Sequence, residues 1–194
     1  MRALLVGFAV WIPGVAGAVG AGCTDPEPIP LACDGVIENV RGEAGIHVPI
    51  GSSIEWSTNP PATGMHYPVW ARWDHHYPSL DRGYWIHNAE HGGIVLLYRC
   101  PEGCPDVIDS LIDIVRGFSA DAACTAPVRN RLLVVADPLL PAEVQVAAVG
   151  WNATYTASCF DPYVKIFAGA HYRKAPEDLC ADGAGLGGTF IEPR

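Results

Sequence analysis

The sequence predicts a single α+β domain: a mostly antiparallel sheet with helices packed on one face, a long loop rich in proline and aromatic residues, and disulfides bracing the whole. Three observations carry this expectation. Short apolar runs rich in β-branched residues recur at 92–99, 131–136 and within 144–156. Two segments, 105–118 and 161–172, carry helix signals. Six cysteines lie beyond the first 23 residues. The order strand, helix, strand, strand, helix is what a layer of helices on a mostly antiparallel sheet requires.

Residues 1–22 read as a secretory signal peptide outside the fold. Arg2 is the only charge before Asp25, the middle is apolar, and small residues precede a cut. Val19-Gly20-Ala21-Gly22 leads into Cys23 and resembles a bacterial lipobox, with Gly20 where leucine is usual. A lipidated Cys23 would tether the mature chain to a membrane; plain cleavage after Ala18 or Ala21 is the competing reading. Residues 23–40 then form an anchor and linker segment, proline-rich at 24–31 and suited to holding a domain off a surface. The expected domain occupies 41–180, and 181–194 form a Gly-rich tail. The chain is thus expected to be exported, periplasmic or at the cell surface.

Charge narrows the partners. The chain carries 12 Lys+Arg against 21 Asp+Glu, a formal net charge of −9. Removal of Arg2 with the leader takes the remainder to about −10. An acidic surface without a Lys/Arg cluster argues against nucleic acid. No stretch after the leader is long enough to span a bilayer. Nothing in the chain singles out a protein partner.

Each element has its own warrant. Residues 46–48 and 52–57 are short and β-like, separated by the turn-forming Pro49-Ile50-Gly51. The stretch 59–78 is too rich in proline for helix or central strand, because each proline removes a donor and fixes its own φ. A loop of that length in a compact domain is usually functional. The run 92–99 is continuously apolar and reads as a buried strand. In 105–118, Val107, Ile108, Leu111, Ile112, Ile114, Val115 and Phe118 repeat at helical spacing, with charges mostly opposite. Residues 131–136 form a second buried strand and 144–156 a third, broken near Gly150. The segment 161–172 reads as a capped helix with proline in its first turn. Of seven cysteines, Cys23 is set aside as the lipid anchor. Cys33, Cys100, Cys104, Cys124, Cys159 and Cys180 read as three disulfides in an oxidising compartment, with the pairing open.

The chemistry concentrates in two stretches, the 59–68 block around His66 and the 87–93 block His87-Asn88-Ala89-Glu90-His91-Gly92-Gly93. His87 and His91, four apart, would share a face of one helical turn, and His66 is presented on a stiff Pro-Pro-x-Thr-Gly turn. Three imidazole nitrogens with the Glu90 carboxylate form a set that copper or zinc accepts. Glu90 could be a ligand, a partner fixing an imidazole tautomer, or a general base. His87-x-x-Glu90-His91 also matches the inverzincin signature. Gly92-Gly93 and a strand follow at once, leaving at most one helical turn, so a protease is not favoured. The rival is a metal-free polar network of the same histidines. His75 and His76 read as solvated loop, His47 and His171 as surface or core residues, and Met65 as a hydrophobic contact before a soft thioether ligand. Trp56, Trp70, Trp73, Tyr77, Tyr84 and Trp85 either stack a flat ligand or stiffen the loop.

The blocks 57–68, 87–95 and Ala175-Pro176-Glu177 resemble the bacterial domain of unknown function 3105 family, over residues 47–177. That resemblance implies an exported or membrane-tethered protein, and that His66, His87, Glu90 and His91 belong to one site. Met65 departs from the family pattern, which has proline before the histidine, and the six cysteines look like an elaboration of this chain. The expected function is copper or zinc handling by an exported lipoprotein. The alternatives are a metal-dependent hydrolase with Glu90 as its catalytic base, and a metal-free binding module using the aromatic loop.

Overall fold

A computed structural model of the protein describes residues 31–193. The signal, the lipobox and the first part of the linker, residues 23–30, lie outside the described residues. Seven strands make one mixed sheet: β1 (Val36–Asn39), β2 (His75–Tyr77), β3 (Ile94–Tyr98), β4 (Leu132–Ala136), β5 (Val146–Gly150), β6 (Ala153–Ala157) and β7 (Thr189–Phe190). Three helices join them: α1 (Arg82–Glu90), α2 (Pro105–Gly117) and α3 (Tyr163–His171). The strand order is β1-β6-β5-β3-β4-β2-β7. Pairing is antiparallel except where β4 runs parallel to β3 and to β2. The expected α+β class holds.

The central strands are apolar at every position because both faces of the sheet are covered. Ile94, Leu96 and Tyr98 of β3, with Leu132, Val134, Val146 and Ala148, pack under α2 and α3. The alternate residues Val95, Leu97, Leu133, Val135, Ala147 and Val149 pack on the other side against Trp85, Ile86 and Ala89 of α1 and against Trp73, Tyr77 and Trp151. The expectation of helices on one face is therefore corrected. Two helices obey it, and the third shares the opposite face with the long loop.

That third helix is also longer than the single turn the glycine pair was expected to allow. Eight of its nine residues are buried, so it lacks the polar face from which a helical period is read. It starts at Asp81, whose Oδ1 accepts the Gly83 amide at 2.8 Å. It ends before the glycines. Gly92 N–H donates to the Ala89 carbonyl and Gly93 N–H to that of Asn88, both at 3.0 Å, with Gly92 at φ 82°. This is a Schellman closure, in which the left-handed residue costs a glycine nothing.

Other boundaries shift too. Residues 46–48 and 52–57 are not strands; the first makes only a bridge, His47 to His66. Residues 75–77, expected as solvated loop, pair with β4, and Thr189–Phe190 of the tail pairs with β2. Val36–Asn39, within the linker segment, forms the opposite edge on β6. The expected third strand is a hairpin, turned at Trp151-Asn152 with Asn152 at φ 63°. The six cysteines pair as Cys33–Cys159, Cys100–Cys104 and Cys124–Cys180. The last ties the segment after α3 to the loop before β4. Among the described residues no helix is long and apolar enough to cross a membrane.

Candidate metal centre

The C-terminal half of α1 faces the long loop, and their contact is built from main chain. The Asn88 amide clamps Ala71, accepting its N–H at 3.0 Å and donating to its carbonyl at 2.8 Å. The His87 Nδ1–H donates to the Tyr67 carbonyl at 2.7 Å. A strap, residues 43–48, crosses above. Thr63 Oγ1 binds its Glu43 end at both N–H and C=O, and His66 bridges its far end by accepting from Val48 N–H and donating to the Ile46 carbonyl.

These three segments bring His47, His66, His87 and Glu90 together. One ligand atom from each lies within 4.8 Å of all the others. The rings form a triangle, with centroids 4.9 Å apart for His47–His66, 4.8 Å for His47–His87 and 4.7 Å for His66–His87. His66, His87 and Glu90 are buried and His47 is exposed. Gly45 of the strap lies against Glu90: a Cβ built there would fall 1.7 Å from Oε1. Only a residue without a side chain lets the strap close over this carboxylate.

Proton placement follows from the partners. His66 Nδ1 lies 2.9 Å from the Gly64 carbonyl, as His87 Nδ1 lies on that of Tyr67. A carbonyl only accepts, so each Nδ1 carries the hydrogen, and in the neutral ring each Nε2 carries a lone pair. Burial drives the His87 pKa down to about 4, opposed by its bond to the Tyr67 carbonyl and assisted by the neighbouring imidazoles. Burial pushes Glu90 upward, but the adjacent His66 ring, then His87 and His47, outweigh it and hold the carboxyl below its usual range. His66 Nε2 stands 3.0 Å from Glu90 Oε2 without the alignment of a hydrogen bond, and it has no hydrogen-bond partner. Neutral, His66 would set a lone pair against the carboxylate, which a bound cation could bridge; protonated, it would form an ion pair with Glu90.

His91 sits just outside. It caps α1, is buried to about pKa 4 by desolvation, and packs on Trp70 with centroids 4.5 Å apart. Its Nε2 is 3.1 Å from His87 Nε2 and 3.0 Å from Glu177 Oε2. Of the four residues expected to share a site, His66, His87 and Glu90 fall in the four-atom group and His91 beside it. His47, expected as surface or core, completes the group. Its signal was faint: a lone histidine in a short apolar segment ending in proline looks like any strand edge. Elsewhere, His75 Nδ1 lies on the Trp73 carbonyl, His76 Nε2 on the Tyr98 hydroxyl, and His171 stacks on Phe167. Met65 is 39% exposed, and Trp73 and Trp85 are buried. Of the six aromatic residues, Trp73, Tyr77 and Trp85 are core packing, and Trp56, Trp70 and Tyr84 are half-buried.

The family model described as "Protein of unknown function (DUF3105)" matches residues 47–182, most of the chain. The chain belongs to this family. The matched span in this DUF3105 protein starts at His47 and takes in His66, His87, Glu90, His91 and Glu177. No curated protein and no solved structure matches the chain.

Proposed function

We propose that this protein binds a transition-metal ion, copper or zinc, through His47, His66, His87 and Glu90, and that it handles this metal outside the cytoplasm as an exported, lipid-anchored protein. The observation carrying the reading is the convergence of four ligand atoms, one each from His47, His66, His87 and Glu90, within 4.8 Å of one another, with His66 Nε2 3.0 Å from Glu90 Oε2. Three imidazoles and one carboxylate suit a four-coordinate Zn²⁺ or Cu²⁺. His87, with its pKa near 4, keeps its lone pair available at neutral pH. The export signal and lipobox support the location.

The rival is a metal-free ion pair, with His66 protonated against Glu90. Elemental analysis after purification without chelator separates the two. The metal reading expects about one ion per chain in the wild type and little in His87→Ala. Equal, negligible content in both, with the fold retained, overturns it. A hydrolase with Glu90 as base for a metal-bound water draws less support. Oε2 is against His66, Oε1 is under Gly45, and the clefts of 620 and 480 Å³ are lined by other residues.

A further inference from the structure

Beside the centre, two acceptors compete for one hydrogen. His91 Nε2 is hydrogen-bonded with His87 Nε2 at 3.1 Å, and Glu177 Oε2 stands 3.0 Å from it without the alignment of a hydrogen bond, while its buried Nδ1 has no partner. A neutral imidazole places its single N–H where it is accepted, which here is Nε2. His87 Nε2 can only accept, because its Nδ1–H is spent on the Tyr67 carbonyl. Directed at His87, the His91 hydrogen occupies the lone pair a metal would use. Directed at Glu177, it leaves that lone pair free.

We propose that Glu177 is a positioning residue for the metal centre: its carboxylate, 3.0 Å away, is the second acceptor to which the His91 Nε2–H turns when His87 gives up that hydrogen bond and takes the ion. This rests on the metal-binding reading above. An anionic oxygen is the stronger acceptor of the two. The chain holds it in place from both sides: Glu177 N–H donates to the Glu90 carbonyl at 3.1 Å, and Asp178 Oδ1 takes Arg131 Nη1 at 2.6 Å. Cys180, two residues on, is bonded to Cys124. With its side chain 53% exposed, Glu177 answers to the buried His91 without joining the ligand group. The arrangement also accounts for His91, one helical turn from His87 yet outside that group. It is the donor whose hydrogen must be parked elsewhere.

The test is zinc affinity, measured by competition with a chromogenic chelator on the intact, oxidised protein for Glu177→Ala, His91→Ala and the double variant. Losing an outer partner typically costs 10–100-fold, so Glu177→Ala is expected to bind about tenfold more weakly. His91→Ala removes the competing donor and stays within about twofold of the wild type, and the double variant returns to the His91→Ala level. In the zinc-free protein, Glu177→Ala moves the ¹⁵N resonance of His87 Nε2 as its hydrogen bond with His91 loses the competing carboxylate. A double variant as weak as Glu177→Ala overturns the inference, as does a large loss in His91→Ala or an unchanged Glu177→Ala. A wild type that takes up no zinc or copper fails the underlying reading as well, and so is distinguishable from these.

Discussion

Substituting alanine for Gly45 tests whether the strap and the carboxylate form one centre. The added Cβ would lie 1.7 Å from Glu90 Oε1, 2.8 Å from its Cδ and 3.3 Å from His66 Cε1. Ordinary carbon–oxygen contact lies well over 3 Å, so something must move by about 1.5 Å. Glu90 has little room, being buried against His66 on one side and fixed to α1 on the other. Either its carboxylate swings away or the exposed strap lifts and takes His47 with it. Each route removes one of four ligands. Zinc affinity is then expected to fall by at least the roughly 10–100-fold typical of losing even an outer partner. Metal-free stability should change far less, by about 1 kcal/mol, the lower end for overpacking, because a solvent-facing strap relaxes cheaply. Chelator competition gives the first quantity and urea melts of the metal-free protein the second. Wild-type affinity in a folded Gly45→Ala variant would refute the assignment of Glu90 and His47 to one ion.

Other outcomes follow from the same geometry. Zinc at a hundredfold excess over its dissociation constant should stabilise the fold by about 2.7 kcal/mol, and EDTA should reverse the gain; an unshifted melting curve counts against binding. The metal-free protein should lose stability as pH falls from about 6.5 towards 4. The folded pKa of His87 is lowered to about 4, so between these values the unfolded chain binds the extra proton. His87→Asn should flatten that slope in urea melts at stepped pH. Arg131→Met should cost about 3 kcal/mol in the same assay, the lower end for breaking a buried pair, because the Asp121 carboxylate 3.0 Å from Arg131 Nη2 keeps only Arg173, at 3.6 Å, as a cationic partner. Opening Cys124–Cys180 with a serine pair should cost about 2–4 kcal/mol and weaken zinc binding by releasing the Glu177 segment.

The sheet centre was readable because β3 and β4 are apolar at every position and bounded by turn signals. The amphipathic stripe of α2 was readable for a different reason, since periodicity reports one-sided burial. α1 escaped because a helix buried on nearly all sides has no period, and its one local signal, Asp81 as a cap, is a single residue. β1, β2 and β7 escaped because two to four residues hold too little pattern, and their pairing is decided by tertiary partners. At the site, His66, His87 and Glu90 were found from stiff turns and close spacing. His47 was not, because its role comes from a strap laid over the loop by a main-chain bridge to His66. That juxtaposition spans segments that no local window connects. Glu177 enters the same way, through the chain's return past Arg131.

The bond between Cys33 and Cys159 joins the residues just outside β1 and β6, enclosing the edge strand in a covalent loop. If the domain hangs by its N-terminus, a pull arriving at residue 31 passes through sulfur into the end of β6 and never loads the hydrogen bonds of β1. The sheet cannot be unzipped from its tethered margin while that link stays oxidised. Reduction would turn the same margin into the first part to peel.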